Sequence, residues 1–565
     1  MNILGIWDGH DSGAALLIDG ALVAAVNEER LTRRKLEVRF PTASIKQCLA
    51  MGGLTATQVD AVAVSTSDVA KTLARIAPWT KERYYLVRRR KIDAGPFAAF
   101  TRRAKYLLTN WPSNSLTRLA STAVLRRELA RLGITAPVLL FDHHYCHAVA
   151  AAYATGEDRC AVLTIDGVGD GLSTTTSIFR QGTLTRLISS PATHSLGIFF
   201  EHVTTLLNMR ELEDEGKVMA LAEYASPVAD PDNPLIDILG VHEGRLTSHP
   251  NGRRLIRMLR ACHWRVPNEQ FASMAQRVIE RTCVALAHDA ARRTGERHLA
   301  LAGGVVSNIK ATRLVRLHCG FEHVHVFPHM GDGGLALGAA LASAAKAGDH
   351  PRLDLTDLGF GPEYTDERIR RAIGEARLNP LPSEDVEDRV ATLLSEGAIV
   401  MWFDGRMEYG PRALGHRSVL ARPDRRAIRD RLNLVLKRRV WYQPFCPSML
   451  RSDAGRLLED WTDDCNPHMT MAYMVRKDAR ESLCGVIGID GSCRPQVVHD
   501  EAPGRYARLL RLMRERLGSS VLLNTSYNIH GEPLVCTPED AVDVFLRSGA
   551  DALAIGSHLV MGCHG

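Results

Sequence analysis

No two of the 12 cysteines stand in a CxxC spacing, so neither a zinc knuckle nor a disulfide framework is indicated, and the compartment implied is the reducing cytoplasm. No run of about eighteen apolar residues occurs, which excludes a membrane-spanning helix of the usual kind. The opening MNILGIWDGHDSG is apolar, but Asp8, His10 and Asp11 interrupt it and no basic segment precedes it. It is therefore read as a strand pair rather than a signal peptide. Neither sign of charge dominates, since a net +6 over 565 residues says little about partners. What is present is an ordinary globular balance, 45% apolar and 24% charged. The chain is too long for one core, and two or three domains are expected.

The stretch 142–148, DHHYCHA, sets His143 and His147 four residues apart. On a helix both imidazoles then share one face, as two metal ligands on a single turn require. In VLTIDGVGDG an apolar run stops at Asp166 beside glycines, and PHMGDGG offers Asp332 in a second glycine turn. Two imidazoles and two carboxylates form a mixed N/O set, better suited to Fe(II), Mn(II) or Zn(II) than to Mg(II) alone. The alternative is a chance HxxxH pair on a surface helix, against which the two carboxylates weigh.

Residues 2–26 read as strand, DGHDSG turn and strand, with a further turn at Asp19-Gly20; residues 160–190 repeat the plan. Two Asp/Gly-tipped hairpins so far apart resemble the phosphate-holding hairpins of the actin, sugar-kinase and Hsp70 superfamily. HLALAGGVVSN then puts Gly303 and Gly304 between a strand and a helix, with Asn308 closing the motif. Backbone without side chains there approaches a nucleotide closely, and a helix N-terminus favours its phosphates. The expected fold class is α/β. Duplicated actin/Hsp70-like (ASKHA) lobes span 1–350, a Pro/Gly/Asp linker 351–385, and a second α/β domain 386–565.

Arg30, Arg33, Arg34, Lys35 and Arg39 crowd the stretch after the first hairpin. Residues 70–135 form another basic region, interspersed with Trp79, Tyr84, Tyr85, Phe97, Phe100 and Trp111. Such a mixture also suits RNA, but the favoured reading is a helical insertion that covers the first lobe and shapes an acceptor pocket. Helix, glycine turn and helix are expected over 195–225. There Lys217 is a candidate to enter the cleft, with a plain surface lysine as the default reading, and Glu211, Glu213 and Asp214 are candidates to meet a cationic acceptor.

Four polar clusters follow within the last 180 or so residues. GRMEYGPRALGHRSVLARP places Arg412, Arg417 and Arg422 among glycines, where guanidinium forks can converge on an oxyanion. LNLVLKRRVWYQPFCPSML brings Lys437, Arg438 and Arg439, IDGSCRPQ brings Arg494, and VLLNTSYNIHGEP ends an apolar strand in Asn524, Ser526 and Asn528. Together they suggest a site for phosphate or nucleotide, separate from the first cleft.

In this order, LAGGVVSN, MEYGPRALGHRS, LKRRVWYQPFCPS, DGSCRPQ and NTSYNIHGEP resemble the O-carbamoyltransferases that decorate nodulation factors, tobramycin, cephamycins and ansamycins. The resemblance covers nearly the whole chain except 70–135. It implies an N-terminal domain similar to the ATPase that installs threonylcarbamoyl on tRNA, and a YrdC-like C-terminal domain. It also implies a two-step reaction. Carbamoyl phosphate and ATP, with Mg(II), give a carbamoyl-adenylate in the C-terminal domain, and the carbamoyl group then passes to the hydroxyl of a natural-product or sugar-like acceptor at the N-terminal metal site.

Carried onto this sequence, the resemblance implies iron(II) on His143, His147, Asp166 and Asp332. It places His10 near the carbamoyl carbon, as a general base, and Lys35 as a phosphate-contacting cation of the N-terminal site. Arg412, Lys437, Arg494, Ser526 and Asn528 become ligands of carbamoyl phosphate and nucleotide. Gln443 stands where many relatives have arginine, with Arg439 as a replacement, and Gly488 where relatives often have histidine. His10 has the alternative role of a turn histidine bonded to its own hairpin. Relatives suggest a homodimer, while nucleic acid and membrane are not expected partners. The competing readings are a tRNA-directed carbamoylation enzyme, a sugar-kinase-like ATPase and a non-catalytic ATP-binding regulator.

Overall fold

The computed structural model describes residues 1–562 except 94, 96–97, 249–251, 383–384 and 463–465; of 98–100, 102–103 and 106 it describes the backbone alone. Phe97 and the side chain of Phe100, counted above in the basic stretch, lie outside the described residues. Two compact units are formed, one from Met1–Glu28 with Leu36–Leu355, the other from Glu29–Lys35 with Thr356–Gly565.

The first unit holds two five-stranded sheets of one plan. The first runs Ala21–Asn27, Gly13–Ile18, Asn2–Trp7, Ala61–Ser65, Val138–Phe141. The second runs Thr183–Pro191, Leu172–Arg180, Arg159–Gly169, His298–Ala302, His323–Val326. In both, three antiparallel strands are followed by two parallel ones. The duplication read from the two Asp/Gly hairpins is thus present as two sheets of identical order, the actin/Hsp70-like arrangement. Asn2–Trp7 is apolar beyond its first residue and buried at every later position, as a strand covered on both faces should be.

Helix Leu335–Lys346 packs on the first sheet and against helix His143–Ala154, which packs on the second. Glycines let these backbones touch. A Cβ on Gly5 would lie 2.0 Å from the Ala336 carbonyl oxygen, and one on Gly338 2.2 Å from that of Cys146.

Between Ala61–Ser65 and Val138–Phe141 the basic insertion forms the helices Val69–Ile76, Pro78–Arg88, Ala98–Thr109 and Ser115–Ala130. Its innermost cations are neutralised within the unit. Lys71 and Arg75 each stand 2.8 Å from a carboxylate oxygen of buried Asp8, and Lys81 donates to the Asp8 carbonyl at 2.7 Å. Helices Leu196–Leu206 and Glu215–Leu221 occupy the 195–225 stretch. Among the described residues no helix is long and apolar enough to cross a membrane, and the ten described cysteines are free thiols.

The second unit is built on an eight-stranded mixed sheet. Its order is Pro380–Leu381, His558–Met561, Ala552–Ile555, Val400–Phe403, Arg417–Ala421, Leu522–Ser526, Cys446–Leu450, Gln496–Val498. Trp402, Leu420, Leu450, Leu509, Met513 and Leu522 are among its core residues. The stretch 351–385, read as linker from its Pro, Gly and Asp content, supplies helix Asp366–Glu375 and strand Pro380–Leu381 of this unit. That helix is capped by Thr365 and buries only Ile369, Ala372 and Ile373, an apolar stripe too narrow to stand out from a charged segment.

Candidate active site

In the first unit, Asp142 caps helix His143–Ala154 by accepting from the Tyr145 N–H at 2.7 Å. The cap fixes where the helix begins, and so puts His143 and His147 one turn apart on its buried face. Their rings meet edge to face with centroids 4.8 Å apart. Asp166 comes from the strand Arg159–Gly169, and Asp332 opens the turn before helix Leu335–Lys346. One ligand atom from each of the four residues lies within 4.8 Å of all the others.

Burial opposes a charge on His143, but Asp332 and Asp166 outweigh it and hold its pKa at about 9. Burial likewise favours neutral carboxyls at Asp166 and Asp332; the neighbouring histidines prevail and lower both, Asp166 well below the usual range. The buried Nε2 of His147 has no hydrogen-bond partner among the described residues and faces Asp332 Oδ1 at 3.6 Å. Converging anionic oxygens and imidazole nitrogens, one of them unsatisfied, fit a divalent cation.

Several supports of this set are invisible as motifs. Thr66 Oγ1 lies 3.3 Å from His143 Nδ1, and Asp170 accepts the His143 backbone N–H at 2.8 Å. Gly169 lies so close that a Cβ would be 2.1 Å from the His143 ring. The Gly303-Gly304 pair, expected at a nucleotide, also serves Asp166. Gly304 N–H donates to Asp166 Oδ1 at 2.7 Å, and Gly303, at φ +102°, has no room for a Cβ, 2.2 Å from the Ile165 carbonyl oxygen. Asn308 caps helix Ile309–His318 and exchanges two hydrogen bonds with Gln276, at 3.0 and 2.8 Å.

His10 stands at the edge of this set, its side chain 24% exposed and its Nε2 3.1 Å from Asp332 Oδ2. Trp7 Nε1–H donates to the His10 carbonyl at 2.8 Å and steadies the hairpin tip. Burial, aided by the charge of Lys105, lowers the His10 pKa to about 4 against the pull of Asp332. The carboxylates expected to meet a cationic acceptor are already neutralised. Arg88 binds Glu201 and Glu211, Lys217 pairs with Asp214 at 2.6 Å, and Glu213 faces Arg89, Lys91 and Arg210, each at 3.7 Å. Lys217 is therefore an ion-pair partner on its own helix.

The second unit holds the other predicted cluster. Lys437 Nζ donates to Ser526 and Asn528, reaching the Asn528 carbonyl and Oδ1 at 2.9 Å each. Ser526 Oγ in turn donates to Asn528 Oδ1 at 2.7 Å. Arg494 directs Nε and a terminal N–H at Cys446 Sγ, 3.1 and 2.9 Å away. Arg439 stacks over Phe445 at 4.2 Å and donates to Asn433 Oδ1 at 2.7 Å. Arg412 Nε is buried without a partner. Burial and mutual repulsion lower the pKa of Arg412, Arg439 and Lys437. Among the described residues no carboxylate pairs with Arg412, Lys437, Arg439 or Arg494.

Lys35, expected at the N-terminal site, belongs to this second unit, where its charge is felt by Lys437. Arg417 and Arg422 do not join the cluster. Arg417 is fully buried, stacked 3.6 Å from the Phe403 ring centre, and donates to the carbonyls of Asp404 and Gly405; Arg422 is paired with Asp424 and bonded to the Ser395 carbonyl. At the departure from the family pattern, Gln443 Oε1 is buried without a partner.

The sequence matches the family described as Carbamoyltransferase N-terminus over residues 2–244 and 251–341, and Carbamoyltransferase C-terminus over 391–561. The chain belongs to the carbamoyltransferase family. It is thus a transferase of carbamoyl groups. It is 30% identical over 568 residues to the nodulation protein NolNO of Sinorhizobium fredii, covering 98% of this chain and 79% of that protein. It is also 30% identical over 348 residues to the 3'-hydroxymethylcephem-O-carbamoyltransferase of Amycolatopsis lactamdurans, covering 61% of this chain and 64% of that enzyme. Among solved structures, component A of the (R)-2-hydroxyglutaryl-CoA dehydratase of Acidaminococcus fermentans aligns with 62% of this chain and 100% of its own, at 16% identity and a TM-score of 0.35.

Proposed function

We propose that this carbamoyltransferase is an ATP-dependent O-carbamoyltransferase that acts in the cytoplasm, using carbamoyl phosphate as donor and a small hydroxyl compound as acceptor. The observation that carries the reading is the second unit's set of four cations, Arg412, Lys437, Arg439 and Arg494, with no carboxylate among their partners in the described residues. Such a set is costly to bury unless an anion completes it.

Atom balance dictates the first step. Water splits carbamoyl phosphate into carbamate and phosphate. A carbamate oxygen then attacks the α-phosphorus of Mg(II)-ATP, the bond from that phosphorus to the β-phosphate oxygen breaks, and pyrophosphate leaves, which gives the carbamoyl-adenylate. Arg412, Arg439 and Arg494 bind the phosphate oxygens as planar forks, and Lys437, with Ser526 and Asn528, holds the remaining charge. Lys35 adds a cation on this side.

In the second step the acceptor oxygen attacks the carbamoyl carbon, the bond to AMP breaks, and the hydroxyl proton goes to the His10 ring nitrogen turned away from Asp332. His143, His147, Asp166 and Asp332 would hold a divalent ion, iron(II) by the family resemblance, which supplies Lewis acidity toward carbonyl or phosphate oxygens. Gly304 and Asp170 keep these ligands in place.

Pyrophosphate release from ATP, measured without acceptor, tests the reading. It is expected only when carbamoyl phosphate is present, and Arg412→Ala is expected to slow it about 100-fold, the usual scale for losing one donor to a developing oxyanion. Cleavage to ADP, or release that ignores carbamoyl phosphate, would overturn it.

A further inference from the structure

The insertion brings a cation to His10 that no carboxylate among the described residues neutralises. Lys105, on helix Ala98–Thr109, reaches back to helix Pro78–Arg88, where Tyr84 and Tyr85 stand side by side. Its Nζ lies 4.4 Å from the Tyr84 ring centre and 4.8 Å from that of Tyr85, and donates to the Tyr85 hydroxyl at 3.2 Å. The Tyr85 ring packs edge-on against His10, centroids 5.5 Å apart. The cation therefore sits one aromatic ring from His10, the proposed base.

Its surroundings separate it from the other basic residues of the insertion. Arg88 is held by Glu201 and Glu211, and Lys71 and Arg75 by Asp8. Lys105 has no carboxylate within ion-pair distance among the described residues; Asp68, whose carboxyl feels its charge, lies farther off. An ammonium has three N–H donors, and among the described residues Tyr85 accepts the one hydrogen bond it makes. The Tyr84 hydroxyl beside it is buried and has no partner among the described residues. Two aromatic faces offset part of the cost of desolvating a cation, but their rings are not acceptors for its two further N–H groups.

The geometry points to an oxyanion subsite beside His10, formed by Lys105 Nζ and the hydroxyls of Tyr84 and Tyr85, that binds an acidic group of a substrate. This rests on the O-carbamoyltransferase reading and goes beyond it in naming a chemical class. Either the acceptor alcohol carries a carboxylate or similar anion, or the subsite holds the phosphate of the activated donor.

Two pairs of probes separate the sources, with binding measured by calorimetry on the full chain. AMP is compared with adenosine, and D-glucuronate with D-glucose. An Arg412→Ala background weakens nucleotide binding in the second unit. At least one anionic probe is expected to bind about ten-fold or more tightly than its neutral counterpart, equivalent to about 1.4 kcal/mol. Lys105→Met should abolish that advantage and Lys105→Arg keep most of it, which excludes a folding defect as the cause.

Loss confined to AMP assigns the subsite to the donor phosphate, and loss confined to glucuronate assigns it to an acidic acceptor. If neither anion is preferred, or if Lys105→Met leaves the preference intact, the subsite is overturned. Pyrophosphate release by the unaltered chain is followed alongside. Its absence sinks the carbamoyl-adenylate reading alone, because the probe preference at Lys105 is read without turnover.

Discussion

His143 illustrates how much of this site depends on atoms that are not ligands. Its Nε2 faces Asp166 at 3.2 Å while its Nδ1 faces Thr66. Groups that fix the far nitrogen of a ligating imidazole typically govern metal affinity by about 10- to 100-fold. Thr66→Val, nearly isosteric, should therefore weaken metal binding by about that factor in a competition titration, and His147→Ala should leave the purified chain without stoichiometric metal by elemental analysis. Undiminished loading of both would remove the metal assignment.

Asp8 makes a second residue-level case. Burial would raise its pKa, but Arg75, Lys71 and Lys81 reverse that and hold it well below the carboxylate range. A pKa lower in the folded than in the unfolded state means stabilisation that is present above the unfolded value of about 3.9 and lost as pH falls through the folded one. Urea midpoints should drop below about pH 4, and the drop should shrink in Asp8→Asn. That variant leaves Lys71 and Arg75 buried without their partner, at a cost on the order of 3–5 kcal/mol.

At the scale of elements, the two central helices of the first unit show a closeness that no hydropathy pattern signals. Gly338→Ala, harmless on an exposed helix, here drives a methyl group to 2.2 Å from the Cys146 carbonyl oxygen. Because Cys146 lies between His143 and His147, the strain falls on the candidate metal ligands. A loss of about 1–3 kcal/mol in thermal or urea unfolding is expected, with weaker metal binding beside it. Unchanged stability would mean that the helices separate freely.

The elements that proved legible were those with strong local grammar. The Asp/Gly hairpin tips, the HxxxH spacing and the glycine pair before a helix are each written in a few consecutive residues. Helix Asp366–Glu375 was missed because three buried residues in ten make a weak signal among charges. The arginines of GRMEYGPRALGHRS could not be sorted by sequence. Whether a guanidinium serves a ligand, as proposed for Arg412, or props up carbonyls, as Arg417 does, depends on what lies opposite.

For the whole molecule, two units with separate cores should unfold in two calorimetric transitions. A ligand at 100 times its dissociation constant stabilises the state that binds it by about 2.7 kcal/mol. Divalent metal should therefore raise one transition and carbamoyl phosphate the other, and Arg412→Ala should remove only the second shift. A single transition moved equally by both ligands would contradict independent sites.

The sequence by itself determined the family and the duplicated α/β plan and nominated the residues of both proposed sites, because hairpin turns and ligand spacings are local and survive without knowledge of the fold. Only the tertiary structure decided which charges remain for chemistry. It neutralised Glu211, Glu213 and Asp214 with neighbouring cations, withdrew Arg417 and Arg422 into structural roles, grouped Lys35 with the second unit and brought Lys105 within one ring of His10. Electrostatic pairing depends on distances of a few ångströms between residues far apart in the chain, and those distances exist only once the core has packed.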